Sequence, residues 1–334
     1  MPKILIIRFS SIGDIVLTTP VIRCIKQQVA NAEVHLAVKH SYLDVVELNP
    51  YIDKIHVLKN DLSHLIEKLK AENYDYIIDL HHNLRSLIIK TRLRKKSFSF
   101  NKLNFEKWLM VHFKINKLPP LHIVDRYFET TKTLGVTNDG KGLDYFLPGN
   151  LKSDFEDKFV NTVFENIFSE PYVAFVIGAN HFTKRLPPSK IISICKQINL
   201  KIVLLGGRGD NDRAIEITGA TGSKTVNACG KLTLNESALI IKHAAHVISH
   251  DTGLMHIAAA FKKNMTSVWG NTIPEFGMTP YFGEAAQGCR SIIIQNENLK
   301  CRPCSKIGYN QCPKKHFKCM NEISEESVLN AVKF

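Results

Sequence analysis

Residues 246–260 read His-Val-Ile-Ser-His-Asp-Thr-Gly-Leu-Met-His-Ile-Ala-Ala-Ala, an apolar strand passing through Asp251-Thr252-Gly253 into an alanine-rich helix. The first N–H groups of a helix over 252–261 have no partner within the helix, so its positive end suits an anion such as a phosphate. Ala258, Ala259 and Ala260 let that helix lie close to a sheet, and Gly253 keeps side-chain bulk away from a ligand. A plain Asp or Thr cap accounts for the same residues with no ligand.

The alternation of strand and helix extends over the whole chain. Short β-branched runs predict strands at 4–7, 34–38, 54–57 and 76–79 in the first half. In the second half they fall at 172–177, 202–205, 224–226, 247–249, 266–268 and 291–294. Strands separated by helical patterns mean parallel βαβ units with helices on both faces, a doubly wound α/β fold. The weakest point is Pro148-Gly149-Asn150, with a helical stretch before the fresh strand at Tyr172, which predicts two domains over 1–160 and 161–334. Ligands in such sheets bind beyond the carboxyl ends of the strands, so two facing domains would hold a site in the cleft between them.

A chain of 334 residues, 44% of them hydrophobic, can bury two cores. No apolar run approaches the roughly 20 residues that span a bilayer, and the run at Ile4–Ile7 is too short for a signal peptide, so cytoplasmic residence is the expectation. Eight cysteines then suit free thiols or metal ligands better than disulfides. Of the net charge of +13, much lies in residues 81–117, where ten Lys or Arg face the single acid Glu106. Phe98, Phe100, Phe105, Trp108, Leu109, Met110 and Phe113 interleave with those cations. This mixture suits an anionic membrane surface or a phosphorylated glycolipid head, against the plainer reading of a solvated basic face. No nucleic-acid motif accompanies the charge, so a nucleic-acid partner is not expected.

Two further stretches carry chemistry. Arg8-Phe9-Ser10-Ser11-Ile12-Gly13-Asp14 puts a carboxylate at the tip of the first strand, before a helix expected near Ile15. Asp14 either caps that helix or acts as a general base on an acceptor hydroxyl. Gly178-Ala179-Asn180-His181-Phe182-Thr183-Lys184-Arg185-Leu186-Pro187 follows the first strand of the second half. Its adjacent cations suit a diphosphate whose charge grows as it leaves, unless they are only an exposed surface pair.

Together, Ile7-Arg8-Phe9-Ser10-Ser11-Ile12-Gly13-Asp14, Lys184-Arg185-x-Pro187 and Asp251-Thr252-Gly253-x-Met255-His256-x-x-Ala259-Ala260 resemble glycosyltransferase family 9, the heptosyltransferases of lipopolysaccharide core assembly. The resemblance implies a GT-B architecture of two Rossmann-like domains facing a cleft, an N-terminal acceptor domain and a C-terminal nucleotide-sugar domain. It implies an inverting transfer without a metal cofactor, from ADP-heptose or a related donor to a lipid-linked acceptor sugar, at the inner face of the cytoplasmic membrane. By the same resemblance Asp14 is the base and Lys184 neutralises the diphosphate. Asn180, Leu232, Asp251, Thr252, Gly253, Met255 and His256 then form the donor side. Ser10, Ser11 and Gly13, with Arg85, Arg92, Arg94 and Lys95, form the acceptor side, and Asp79-Leu80-His81-His82 resembles the acceptor loop. A nucleotide-sugar epimerase or hydrolase on the same frame, and a basic nucleic-acid-binding protein, are the alternatives.

The chain departs from the family pattern at Leu186, where Trp is frequent, and after Gly206-Gly207, where Arg208 and Gly209 precede Asp210. Asp210-Asn211-Asp212 matches the Asp-x-Asp of metal-dependent enzymes but reads more simply as a helix cap. Cys301-x2-Cys304-x7-Cys312-x6-Cys319 supplies four thiols for a structural zinc, or leaves them unligated.

Overall fold

The computed structural model describes residues 1–284 and 288–332. They form two compact units. Unit 1 comprises Met1–Leu103, Pro120–Phe146 and a short piece beginning at Tyr281; unit 2 comprises Asn104–Pro119, Leu147–Pro280 and the tail from Gly288. Helix 104–113 therefore packs with the second unit although the strands before it belong to the first.

Unit 1 is built on β1 (Lys3–Ile7), β2 (Glu33–Lys39), β3 (Lys54–Leu58), β4 (Tyr76–Asp79) and β5 (Lys96–Ser99). All pair in parallel in the order β3-β2-β1-β4-β5. Its helices are α1 (Ile12–Val16), α2 (Thr19–Gln28), α3 (Leu62–Ala71) and α4 (Leu84–Leu93), and α6 (Ile123–Phe128) follows α5 (Asn104–Phe113) of the other unit. Leu5 and Ile7 pack with Leu65, Leu69, Ile89 and Leu93 on one face. Ile4 and Ile6, pointing the other way, are equally buried. Burial on both faces explains why these strands read as unbroken apolar runs.

Unit 2 carries β6 (Tyr172–Val176), β7 (Lys201–Leu205), β8 (Thr225–Asn227), β9 (His246–His250), β10 (Met265–Trp269) and β11 (Ser291–Gln295). These are parallel in the order β11-β10-β9-β6-β7-β8. Its remaining helices are α7 (Leu151–Lys158), α8 (Pro188–Gln197), α9 (Asn211–Thr221), α10 (Leu234–His243), α11 (Gly253–Ala260), α12 (Lys318–Asn321) and α13 (Glu325–Ala331). Thr233 and Glu236 close α10 with a reciprocal capping box, and Pro188 opens α8 where its missing N–H costs nothing. Asp210 precedes α9 and accepts from Gly207 N at 3.0 Å, so Asp210-Asn211-Asp212 opens a helix, as its composition suggests.

The ten strands expected from the sequence are present, and β5 is an addition. Lys-Ser-Phe-Ser is four residues long, polar and at a sheet edge, so it lacks the apolar signal of the central strands.

In both sheets the winding reverses beside the first strand, between β1 and β4 in unit 1 and between β6 and β9 in unit 2. At such a point the loops at the carboxyl ends diverge to opposite faces and leave a crevice for a ligand.

A buried arginine fastens the end of unit 1. Arg23 on α2, 2% exposed, pairs with Asp139 at 2.8 Å and with Asp144, and donates to Gly142 O at 2.9 Å. Burial of Asp139 is outweighed by Arg23, which pulls its carboxyl down to about 2. We expect Arg23→Met to lower the unfolding free energy by about 3 kcal/mol, because two carboxylates lose their buried partner. A urea midpoint shift within experimental scatter would show that the clamp carries no stability.

Candidate functional site

The end of β1 turns at once into α1. Ser11 is the N-cap and Asp14 the third helical residue, so Asp14 does not cap the helix itself, which starts three residues earlier than expected. Instead Asp14 Oδ2 accepts from Ser11 N at 3.2 Å and from Ser11 Oγ at 2.7 Å. Its Oδ1 lies 2.6 Å from a guanidinium nitrogen of Arg8. Arg8 is 6% exposed and anchored by donation to Ser10 O, to Leu80 O and to Tyr127 Oη. Burial would weaken its charge, but Asp14 more than restores it. The carboxylate is thus held from both sides while 23% of its side-chain surface stays open.

Next to it, at the end of β4, Asp79 is fully buried and organises the following loop. It accepts from His81 N at 3.1 Å, His82 N at 2.7 Å and Ser86 Oγ at 2.9 Å, and pairs with Lys90 at 2.8 Å. Asp14 and this loop therefore flank the reversal point of unit 1. The His81 ring meets Phe9 edge-on, and burial with the nearby Arg8 lowers it to about 4, so it is neutral.

Ser11 is exposed, Ser10 half-buried and Gly13 buried. Arg85 and Arg92 stand exposed on α4, seven residues apart and so on one face, with Leu84 and Leu87 also exposed. Arg94 is exposed just beyond the helix, while Lys95 is half-buried and donates to Asn73 Oδ1 at 2.7 Å.

The reversal point of unit 2 gathers a second group. Lys184, in the loop after β6, lies 2.5 Å from Asp251 Oδ2 at the end of β9, and Thr272 Oγ1 donates to the same oxygen at 2.9 Å. Thr252 is the N-cap of α11, and among the described residues its side chain makes no cap bond to the first N–H groups of that helix. Arg185 pairs with Asp210 at 3.3 Å and donates to Ala179 O at 2.7 Å. Arg213 donates to Leu186 O at 2.5 Å and Ile177 O at 3.3 Å. Lys184 and Arg185 thus each meet a carboxylate, and Arg213 holds the backbone of the same loop, an arrangement that suits a diphosphate. Gly178 is required here, because a Cβ would stand 2.3 Å from Asp210 Oδ2.

The other expected donor residues take different places. Asn180 is exposed, 3.3 Å from His181 Nε2. Leu232 is half-buried in the turn that follows Gly230. Met255 is fully buried and His256 nearly so, which places them beneath the surface of α11. Asp210, which follows the departure at Arg208-Gly209, is engaged by Arg185 and by Gly207 N.

Sequence reasoning did not single out Arg8, Thr272, His250 or Asn271. Arg8 and His250 carry a signal, a polar residue at the last positions of a buried strand. Thr272 and Asn271 follow β10 in an ordinary loop and carry none. Asn271 is 1% exposed, and neither polar atom of its amide has a hydrogen-bond partner among the described residues.

Among the described residues, no three donor atoms from Cys301, Cys304, Cys312, Cys319 and neighbouring His or carboxylate groups come within 4.8 Å of one another. Cys319 packs with Phe317, Met320 and Ile323, and burial pushes its thiol up to about 12. It behaves as a small apolar residue, and the expectation of a structural zinc finds no support in the tail.

Residues 62–311 match the family described as Glycosyltransferase family 9 (heptosyltransferase). The chain belongs to glycosyltransferase family 9. It is 26% identical to lipopolysaccharide heptosyltransferase 1 of Campylobacter coli, over 99% of this chain and 98% of that protein. The fold resembles a family 9 glycosyl transferase from Veillonella parvula, with a TM-score of 0.76 at 21% identity over 99% and 96% of the two chains. It also resembles the E. coli heptosyltransferase WaaC with ADP, with a TM-score of 0.68 at 19% identity over 98% of each chain. As a family 9 glycosyltransferase the protein is an enzyme, with the two parallel sheets of its GT-B relatives.

The site imposes an acid limit on stability. His250 is fully buried and accepts from Leu186 N at 3.0 Å, and burial with the nearby Arg213 pulls it from 6.5 to about 3. His246 falls to about 4 by burial alone. Folding therefore excludes protons that the unfolded chain takes up below pH 6.5. Stability is complete above that value and falls as pH drops from it toward these depressed values. Each such histidine costs about 1.4 kcal/mol per pH unit in that window. His250→Gln keeps an acceptor for Leu186 and removes one proton, so its unfolding free energy should depend on pH less steeply by about one proton between pH 6 and 5. An unchanged slope in urea titrations would refute this.

Proposed function

We propose that the enzyme transfers a heptosyl group from ADP-heptose to a sugar hydroxyl of a lipid-linked lipopolysaccharide core precursor, with inversion at the anomeric carbon and without a metal cofactor. The observation that carries this reading is the open carboxylate of Asp14, held at the reversal point of unit 1 by Arg8 and Ser11. Unit 1 is the acceptor side and unit 2 the donor side. The acceptor oxygen forms its bond to the anomeric carbon as the bond from that carbon to the diphosphate oxygen breaks. Asp14 takes the hydroxyl proton, and the bonding electrons leave with ADP. Lys184 and the N-terminus of α11 stabilise the charge that grows on the diphosphate. To reach it, Lys184 shares or leaves its contact with Asp251, which Thr272 continues to hold. Neutral His81 sits beside the acceptor without adding charge.

Among the described residues no helix is long and apolar enough to cross a membrane. Contact with a lipid-linked acceptor falls to exposed surfaces instead. On α4, Leu84 and Leu87 stand among Arg85 and Arg92. On α5, which buries no residue, Phe105, Trp108 and Phe113 are exposed. Apolar groups among cations suit the headgroup layer at the cytoplasmic face of the membrane.

Asp14→Asn should lower kcat by roughly 100-fold or more while leaving ADP affinity unchanged, the pattern of a lost general base. Wild-type turnover in this variant would remove Asp14 from the mechanism. Lys184→Ala should weaken ADP binding, measured by calorimetry, by about 10- to 100-fold, the scale of a charge-assisted hydrogen bond. Wild-type ADP affinity would place the diphosphate elsewhere.

A further inference from the structure

Unit 1 holds a second polar cluster, at the end of its sheet opposite to Asp14. His35 and His56 are the third residues of β2 and β3, and Glu72 and Tyr74 lie in the turn between α3 and β4. His35, His56 and Tyr74 are 0%, 5% and 1% exposed. His35 Nδ1 is 3.2 Å from His56 Nε2, and Tyr74 Oη is 2.9 Å from the former and 3.0 Å from the latter. The Glu72 carboxylate closes the group, with Oε1 3.6 Å from His56 Nε2 and Oε2 3.9 Å from His35 Nδ1.

We propose that His35 Nδ1, His56 Nε2 and the Glu72 carboxylate, with the Tyr74 hydroxyl at the fourth corner, bind a divalent transition metal of the zinc type. Zinc–ligand bonds of about 2.0–2.1 Å in a tetrahedron place neighbouring donor atoms about 3.3 Å apart. The separations here, from 2.9 to 3.9 Å, bracket that value. Two imidazoles with carboxylate and hydroxyl oxygen form a borderline donor set that suits zinc rather than magnesium or calcium.

The arrangement of donor atoms suits a cation. Glu33 Oε1 lies 2.7 Å from His35 Nε2, so a neutral ring donates there and turns the lone pair of Nδ1 inward. This carboxylate–imidazole contact is also the usual outer support of a metal-bound histidine. With His56 protonated on Nδ1, its Nε2 lone pair and the Tyr74 oxygen face the same point as His35 Nδ1, three donor atoms within 3.2 Å of one another. A metal at the centre satisfies all three. The competing occupant is a proton that makes His35 an imidazolium.

Access and exchange are both provided for. A groove of about 810 Å³, lined by Lys54, His56, Asp61, His64, Lys68 and Glu72, opens onto the cluster. Lys54 and Lys3 hold the Glu72 carboxylate at 2.5 and 3.1 Å, and Lys54, more than half exposed, can return to water when a metal arrives. The bound ion would clip edge strand β3 to β2 and to the turn before β4, a structural role separate from sugar transfer.

The test uses full-length protein freed of metal by a chelator, then titrated with Zn²⁺ by calorimetry and with Co²⁺ by absorption. We expect one equivalent to bind at this cluster, a rise in Tm with added Zn²⁺, and Co²⁺ bands without thiolate charge transfer. His56→Gln and Glu72→Gln should each weaken this binding at least tenfold, while the double variant Cys301→Ser/Cys304→Ser leaves it unchanged. Glu72 lies at the solvent edge, so Glu72→Gln preserves the readout if His56→Gln fails to fold. No saturable binding would assign the cluster to a proton. A thiolate band lost in the cysteine variant, with no second equivalent, would move the metal to the tail. Binding indifferent to both cluster variants would likewise overturn the proposal.

Discussion

Reversal of winding beside the first strand of each sheet is the constraint on which the chemistry rests. Parallel strands send all their carboxyl ends to one edge, and only where successive crossovers pass to opposite faces does that edge open. In unit 1 this happens between β1 and β4, in unit 2 between β6 and β9. The loops that leave those four strands carry Asp14, the Asp79 turn, Lys184 and Asp251. The topology leaves them at an edge that helices cannot cover.

Each group is then fixed by a partner from a neighbouring loop. Arg8 would be a costly buried charge if alone, and Asp14 would be a mobile carboxylate; paired at 2.6 Å they fix each other. Lys184 and Asp251 do the same between the ends of β6 and β9, with Thr272 as a third holder. Such pairs keep the groups of each loop ordered. The neutral, buried His250 beneath the loop of Lys184 is part of this support, since it caps Leu186 N without adding a competing charge.

Much of this was legible in the sequence because parallel, doubly covered strands leave a strong apolar signal. Ile4–Ile7 and Tyr172–Val176 are buried along their length and could be found by composition alone. β5 could not, since an edge strand of Lys-Ser-Phe-Ser satisfies no core. At the sites, Asp14, Lys184 and Asp251 stand out as charges in the polar segments that follow apolar runs. Their roles came from resemblance, and their partners from geometry: nothing near Thr272 in the sequence announces that it holds Asp251. Asp14 was misplaced on α1 by the same limit, because Ser11 and Asp14 both suit a helix start and only the hydrogen bonds separate N-cap from third residue. Of the four tail cysteines, whose spacing resembles a metal motif, Cys319 packs in the core, while His35, His56 and Glu72, scattered over 38 residues, meet in space.

The most direct measurement is the fate of ADP-heptose with and without a lipid-linked core acceptor, with the anomeric configuration of the product read by nuclear magnetic resonance. The account predicts ADP release only when acceptor is present, and a product whose anomeric centre is opposite to that of the donor. Donor cleavage at the same rate without acceptor, or a product that retains the donor configuration, would contradict a single displacement assisted by Asp14.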